Sequence, residues 1–238
     1  TLFRSLIDQY GADTARLFCL FAAPPEKDLD WNEQGVEGAF RFLNRVWRMT
    51  VDHLDLLKPV KPFSGSAPAD PDLRKLRLKT HATIRKVSGD IEDRFHFNTA
   101  ISAVMELVNA IYQFDIAAVR DGMALAVIKE AVEAVIVLLA PMVPHLAEEL
   151  WERLGNRESI FAAPWPAHDP AAIVEDEITI VVQVNGKLRS NVLVPVDATD
   201  EEIQTRVLTD GTLQKWVAGA QIKKVIVVPG KLVNIVVK

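Results

Sequence analysis

The hydrophobic period of the chain changes near residue 175, and this change constrains the fold more than any other feature of the 238-residue sequence. Before that point apolar residues recur every three to four positions, as on one face of an α-helix. Beyond it they alternate with polar residues, as along a β-strand. The segment 161–175 contains three prolines and favours a linker. The sequence therefore predicts a mainly α protein, with a helical bundle over 1–160 and a small α+β domain over 176–238.

Apolar stripes at helical spacing mark the predicted helices of the bundle. The segment 59–71 holds four prolines and predicts a surface loop that separates two of them. A long helical pattern over 123–154 is expected to kink at Pro141 and Pro144, because proline lacks the backbone donor that a helix interior needs. The predicted core positions are Val36, Phe40, Leu43, Trp47 and Val51 on one helix, Leu73, Leu76, Thr80, Ile84 and Val87 on the next, and then Ile101, Val104, Leu107, Val108, Ile111 and Phe114.

The C-terminal domain is predicted to have the order β-β-α-β-β. Asn185-Gly186 between two β-branched runs is a strong signal for a two-residue hairpin turn. Thr199 and Glu202 have the spacing of a capping box, which predicts a helix that begins there. A further helical turn is expected over 213–217. A second hairpin is expected over 222–237.

Composition excludes several classes of protein. The chain is 49% apolar and 25% charged with a mean hydropathy of +0.12, as in folded globular proteins and unlike disordered ones. The apolar stretch 134–147 is interrupted by proline and is shorter than the roughly 18 to 20 residues that a bilayer requires. One cysteine, Cys19, cannot form a disulfide within the chain. We therefore expect a cytoplasmic protein without membrane contact.

No catalytic pattern stands out. The five histidines lack metal-ligand spacing, Cys19 lies between Phe18 and Leu20, and no glycine-rich phosphate loop occurs. The adjacent Glu148 and Glu149 diverge by about 100° on a helix, so they do not form an acid–base pair. The sequence therefore predicts no catalytic residue, no metal site and no cofactor in this chain.

Positive charge does recur at structural spacings, although the net charge is −5. Two helices are predicted to carry basic ridges of the kind that bind phosphate backbones. In the C-terminal domain the odd positions are polar and basic, which predicts a basic sheet face or hairpin tip opposite an apolar face. Solvated faces without a ligand are the alternative. The ridge residues are Arg41, Arg45 and Arg48, then Arg74, Arg77 and Arg85; those of the small domain are Lys187, Arg189, Lys223, Lys224 and Lys231.

Several strings together resemble the class I aminoacyl-tRNA synthetases of the leucyl, isoleucyl and valyl group. They are YGADTARLF at 10–18, DW at 30–31, GVEG at 35–38, FNTAI at 97–101, LAPMVPH at 139–145 and EELW at 148–151. The strings VQVNGKLR at 182–189 and KVIVVPGKLVNIV at 224–236 are similar to the small C-terminal domain of bacterial leucyl-tRNA synthetases.

The resemblance implies the tRNA-binding end of such an enzyme: an anticodon-binding-type bundle followed by a domain that grips the tRNA elbow. The partner it implies is leucine tRNA, and the protein is expected to be a monomer. Lys187 and Arg189, with Lys223, Lys224 and Lys231 behind them, are the implied elbow contacts. The six ridge arginines would face the inner side of the tRNA.

The resemblance also implies sites that this sequence does not contain. Its signature lysine loop would lie just before Thr1, and no editing domain is recognisable, so ATP and Mg²⁺ would be bound by a catalytic domain outside this chain. The fragment itself is expected to be inactive. Two alternatives stay open: a synthetase-derived scaffold or protein-interaction module without RNA affinity, and the equivalent region of an isoleucyl or valyl enzyme.

Overall fold

The chain folds into two compact units, Thr1–Ile173 and Val174–Lys238. A computed structural model describes residues 2–22, 33–65, 67–92, 95–174, 177–195, 198–217, 222–228 and 231–238. The string Asp30-Trp31 and the predicted turn at Pro229-Gly230 lie outside these residues. Among the described residues no helix is long and apolar enough to cross a membrane.

The described residues of the first unit form eight α-helices. They are α1 (Leu2–Tyr10), α2 (Ala12–Ala22), α3 (Glu33–Val51), α4 (Leu54–Leu57), α5 (Pro71–Glu92), α6 (Phe97–Ile111), α7 (Gly122–Leu139) and α8 (Pro144–Arg153). Helix α7 packs against α5, α6 and α8 and is buried on nearly all sides from Leu125 to Leu139. A helix that is apolar around its whole circumference is stable only at the centre of a core, so α7 is the axis of this unit.

The predicted apolar stripes are confirmed on α5 and α6 and are displaced on α3. All five positions predicted on α5 are buried, as are those on α6 up to Ile111. On α3 the predicted core positions Val36 and Leu43 are buried, Trp47 and Val51 are half-buried, and Phe40 is exposed. Ala39 and Val46 are also part of the buried face. Phe40 lies against the ring of Tyr10 with centroids 5.5 Å apart. The buried face of α3 therefore includes Ala39 and Val46, each of which precedes a predicted core position by one residue.

The predicted kink in the 123–154 helix is a complete break. Helix α7 ends at Leu139 and α8 begins at Pro144, whose missing N–H lies in the first helical turn, where donors have no partner within the helix. Asp13 caps α8 from another helix: its Oδ2 accepts from the Leu146 N–H at 2.7 Å and its Oδ1 contacts His145 Nδ1 at 2.8 Å. Arg16 donates to the Met142 carbonyl at 3.0 Å. The strings at 10–18 and 139–145 therefore meet in space.

The proline-rich segment packs along α5 up to Ile173 and does not hang free as a linker. The Trp165 indole Nε1–H donates to Ser88 Oγ at 2.8 Å. Asp169 accepts from Arg77 at 2.7 Å, and its own N–H donates to His81 Nδ1 at 3.1 Å. A short 3-10 turn, Pro170–Ile173, closes the unit.

The second unit is a four-stranded sheet with two helices. Its elements are β1 (Glu177–Val184), β2 (Lys187–Pro195), α9 (Asp200–Thr209), α10 (Gly211–Val217), β3 (Ile222–Val228) and β4 (Leu232–Val237). The strand order is β2-β1-β4-β3, in which the two hairpins join through a parallel β1–β4 pair. The expected order is thus confirmed, with the helical turn at 213–217 forming a second helix. The predicted capping box is present, with Thr199 and Glu202 each bonding the other's backbone N–H.

One face of this sheet carries the core of the second unit. Ile180, Val182 and Val184 of β1 lie under Ile203 and Val207 of α9. Further buried residues on this face are Val192, Val194, Leu213, Val233 and Ile235.

Candidate nucleic-acid interface

The β1–β2 hairpin holds its turn rigidly. Asn185 and Gly186 have φ of 49° and 77°, as both central residues of a type I′ turn require. The Asn185 amide accepts from the Val237 N–H at 3.0 Å and donates to the Val237 carbonyl at 3.2 Å. Asn234 accepts from the Gly186 N–H at 3.1 Å. The side-chain amides of Asn185, in the turn itself, and of Asn234, on β4, thereby fix the turn that presents the exposed Lys187.

A β-bulge at Arg189 changes the faces that alternation predicted. Val182 pairs with Ser190, and Gln183 pairs with Leu188, so Arg189 is an extra residue on β2. Ser190 lies on the helix side, where its Oγ is 2.8 Å from Thr212 Oγ1 of α10. Arg189 lies on that side too, with its guanidinium carbon 3.6 Å from the centroid of the Trp216 ring. The prediction that Arg189, an odd position, lies on the polar face opposite the apolar one is therefore wrong.

The open face of the sheet is apolar at its rim and is not a basic face. Leu188 and Leu193 of β2 are 63% and 53% exposed, and Ile226 and Val228 of β3 are also exposed. Lys223 and Lys224 adjoin a second register irregularity on β3 and are exposed, as is Lys231 before β4. Lys187 is thus at the hairpin tip, and Lys223, Lys224 and Lys231 are near strand ends.

The basic ridge predicted on α3 is present in part. Arg41 and Arg48 are exposed. Arg45 is half-buried: it donates to Asn109 Oδ1 at 2.8 Å and lies 4.8 Å from the centroid of the Tyr112 ring. The ridge therefore has two exposed cations and one that is tied to α6 and the residue after it.

The ridge predicted on α5 loses its central member. Arg77 is 6% exposed and lies between Asp169, at 2.7 Å, and Glu130 of α7, at 3.5 Å. His81, one turn further along, contacts Glu130 at 3.0 Å. A guanidinium enclosed by two carboxylates is not available to a phosphate. Of the other two ridge residues, Arg85 is exposed and Arg74 is half-buried.

Hydrogen bonds lower the pKa values of three aspartates, Asp169, Asp210 and Asp90. The hydrogen bond from Arg77, followed by that from the Ala171 backbone, lowers the pKa of Asp169. Hydrogen bonds from the Thr212 hydroxyl and backbone lower the pKa of Asp210, which precedes α10. Burial by itself would raise the pKa of Asp90, but hydrogen bonds from Thr99 and Lys86 outweigh it and lower the value. Through these hydrogen bonds the three carboxylates stabilise local structure.

The described residues contain no group of three or more potential metal ligands. Cys19 is half-buried, and burial raises the pKa of its thiol. A raised thiol pKa disfavours the reactive thiolate. The arrangement that this chain offers is therefore one of exposed cations on rigid supports, suited to binding a polyanion.

The chain is similar to known proteins over nearly its whole length. The anticodon-binding domain of tRNA ligase matches residues 74–205, which cross from the first unit into the second. The leucine–tRNA ligase of Syntrophus aciditrophicus is 55% identical over 234 residues, which are 98% of this chain and 27% of that protein. The leucine–tRNA ligase of Geotalea daltonii is 57% identical over 233 residues, covering 98% and 28%.

A solved structure has the same fold. The crystal structure of the ternary complex of Agrobacterium radiobacter K84 agnB2 LeuRS-tRNA-LeuAMS matches with a TM-score of 0.81 at 29% identity, over 99% of this chain and 30% of that one. The chain thus spans a little over a quarter of the length of the curated relatives named above. With more than half of its residues in the anticodon-binding match and more than half identical to these ligases, the chain belongs to the leucine–tRNA ligase family and corresponds to a C-terminal part of its members.

Proposed function

We propose that this chain is the tRNA-binding region of a leucine–tRNA ligase and positions leucine tRNA for ATP-dependent leucylation. The observation that carries the proposal is the likeness, over 99% of the chain, to a LeuRS that was crystallised with tRNA. Exposed cations support it, since phosphate contacts fix the register and orientation of a protein on a nucleic acid. The isoleucyl and valyl alternatives are disfavoured, because the relatives at 55% and 57% identity are leucine–tRNA ligases.

The proposed role is positioning rather than chemistry. Holding the tRNA body so that its acceptor end lies at a distant site makes aminoacyl transfer effectively intramolecular, which lowers the entropic part of the barrier. The relatives are more than three times as long as this chain. We therefore assign leucine activation, with its ATP and Mg²⁺, and editing to the remainder of the protein, and we place that protein in the cytoplasm as a monomer.

The hairpin tip is the proposed elbow contact. Lys187 is exposed on a turn that two asparagines hold. Arg189 follows at the bulge, and Lys223, Lys224 and Lys231 add exposed charge at the other hairpin. Arg41, Arg48 and Arg85 remain as proposed contacts of the helical unit, whereas Arg77 is assigned to the structure of the protein. Charge-assisted bonds to phosphate are shorter and stronger than neutral ones.

Fluorescence anisotropy of the 238-residue chain with leucine tRNA, over a salt series, tests the proposal. The double variant Lys187→Ala/Arg189→Ala should weaken binding by about 1 to 3 kcal/mol and reduce the salt slope. Lys61→Ala, which removes an exposed cation from a loop of the first unit, is the matched control. A leucine tRNA with a disrupted elbow should bind the wild type as weakly as intact tRNA binds the double variant. Unchanged affinity in the double variant would remove the hairpin tip from the site.

A protein-interaction scaffold is the second candidate, and the open sheet face favours it. Leu188, Leu193, Ile226 and Val228 expose apolar surface of the kind that mediates protein contacts. A scaffold without RNA affinity would show no salt-dependent binding of leucine tRNA. The salt series therefore separates the two candidates with one measurement.

A further inference from the structure

The bulged Arg189 and the exposed Trp216 form a pair outside the hydrophobic core of the second unit. Opposed residues of an antiparallel pair share a face, so Ser190 lies on the side of Val182, under the helices. A bulge places its extra residue beside the next one, out of alternation. This is why Arg189, predicted for the opposite face, reaches α10.

Helix α10 is fixed against β2 at this point. The Asp210 carboxylate accepts from the Thr212 N–H at 2.7 Å, which caps the start of the helix. Thr212 in turn contacts Ser190 at 2.8 Å. Trp216 follows Thr212 by four residues and therefore lies one turn along the same face. The contacts that fix helix α10 against β2 therefore also position the Trp216 ring.

Trp216 is unusually exposed for a residue of its size. Its side chain is 46% exposed, more than that of any other tryptophan in the described ranges, while Arg189 lies over its ring at 3.6 Å. The Arg189 Nε is enclosed and has no hydrogen-bond partner in the same ranges. The pair is therefore joined by stacking and cation–π attraction, and it leaves aromatic surface facing solvent.

The surroundings of the pair are positively charged. Lys187 precedes Arg189 by two residues and Lys215 adjoins Trp216; both are exposed. No ion pair of either lysine occurs within the part of the chain that the structure describes. Asp210, the adjacent acid, is committed to the α10 cap. Exposed aromatic surface beside unneutralised cations suits a nucleobase and its phosphate.

We propose that Trp216, with Arg189 stacked on it, is a platform for one nucleobase of the bound RNA, while Lys187 contacts the adjoining phosphate. The proposal rests on the proposed function and adds a contact of a different kind. Stacking on an aromatic ring does not release counterions, so it contributes affinity without contributing to the salt slope. Base and phosphate contacts of the same hairpin are therefore separable by experiment.

The test compares single variants of the 238-residue chain by anisotropy with leucine tRNA over a salt series. Trp216→Leu should weaken binding about 5- to 150-fold with an unchanged salt slope, and Trp216→Phe should restore most of the affinity. Lys187→Ala should instead lower the slope by about 0.7 to 0.9. Trp165→Leu, which removes an exposed indole of the first unit, should have no effect on binding. Thermal unfolding checks that each variant is folded.

Abasic leucine tRNAs identify the stacked base. Removal of that one base should weaken wild-type binding and leave Trp216→Leu unaffected, because the two changes delete the same contact. If Trp216→Leu lowers the salt slope as Lys187→Ala does, or if no abasic position abolishes its effect, then Trp216 only supports Arg189 and the platform is overturned. Equal affinity of Trp216→Leu and wild type also overturns it. If wild type does not bind leucine tRNA, the proposed function itself fails.

Discussion

The Arg77 guanidinium lies 2.7 Å from the Asp169 carboxylate, across 92 residues of sequence, and this ion pair fastens the end of the first unit to α5. Glu130 of α7 lies 3.5 Å from the same guanidinium. The other carboxylate oxygen of Glu130 lies 3.0 Å from His81 Nε2. One arginine thereby joins the central helix, α5 and the segment that leads to Ile173. Arg77, which the helical spacing assigned to a basic surface ridge, is therefore a buried residue that stabilises the first unit.

Replacement of Arg77 by alanine should destabilise the first unit strongly. The change leaves Glu130 enclosed without its guanidinium partner, and loss of one member of a buried pair costs about 3 to 5 kcal/mol. Urea unfolding followed by far-UV circular dichroism measures the loss. Arg85→Ala, on the exposed part of the same helix, should change the free energy of unfolding by less than about 0.5 kcal/mol. A loss in Arg77→Ala as small as that of Arg85→Ala would contradict the structural role.

Acid should release the segment held by Asp169. The pKa of Asp169 is lower in the folded protein than in the unfolded chain, so its contribution to stability is present above the unfolded value of about 3.9 and is lost as the pH falls through the folded value. Hydrogen exchange of residues 169–173 should accelerate below about pH 4 relative to the rest of the unit. In the Asp169→Asn variant the amides of residues 169–173 should exchange rapidly at every pH. The control variant Asp55→Asn changes an exposed aspartate of α4 and should show the exchange of the wild type. Protection of 169–173 that persists to acid pH in the wild type would refute this.

Replacement of Asp210 by alanine should loosen α10 and with it the Trp216 ring. Loss of a capping carboxylate typically costs about 1 kcal/mol. The amide of Thr212 should lose protection from hydrogen exchange, since it donates to the Asp210 carboxylate. Asp210→Asn keeps an acceptor and should retain most of the protection. If the alanine and asparagine variants are equally protected, the cap does not hold the helix.

Two glycine-to-alanine changes should have opposite signs. At Gly186 a Cβ meets no atom within 4 Å, but φ is +77°, so alanine should lower the free energy of unfolding by about 1 to 2 kcal/mol through backbone strain alone. At Gly38, inside α3, a Cβ also meets no atom, and φ is ordinary. Alanine there should stabilise by about 0.4 to 1 kcal/mol, because it restricts the unfolded chain. Thermal unfolding of both variants measures the pair, and equal effects would mean that the hairpin turn is not held in the left-handed region.

Local sequence determined most of the elements and little of the site. The buried stripe of α5, the capping box at Thr199 and the turn at Asn185-Gly186 each depend on residues within four positions of one another, so the sequence predicted them correctly. The break before Pro144 was visible as a proline, but its cap, Asp13, lies on α2 and could not be found by spacing.

Only the tertiary structure decided which cations are exposed and which face they share. Arg77 and Arg85 belong to the same predicted ridge, but Glu130 and Asp169 approach Arg77 from distant segments and enclose it. One extra residue placed Arg189 on the helix side of the sheet and not on the predicted polar face, because strand alternation has a period of two and a bulge shifts it by one. The sequence by itself therefore determined the two units, their elements and the family, through short-range periodicity and motifs. The position of each functional side chain was decided by long-range contacts and register, which local spacing does not encode.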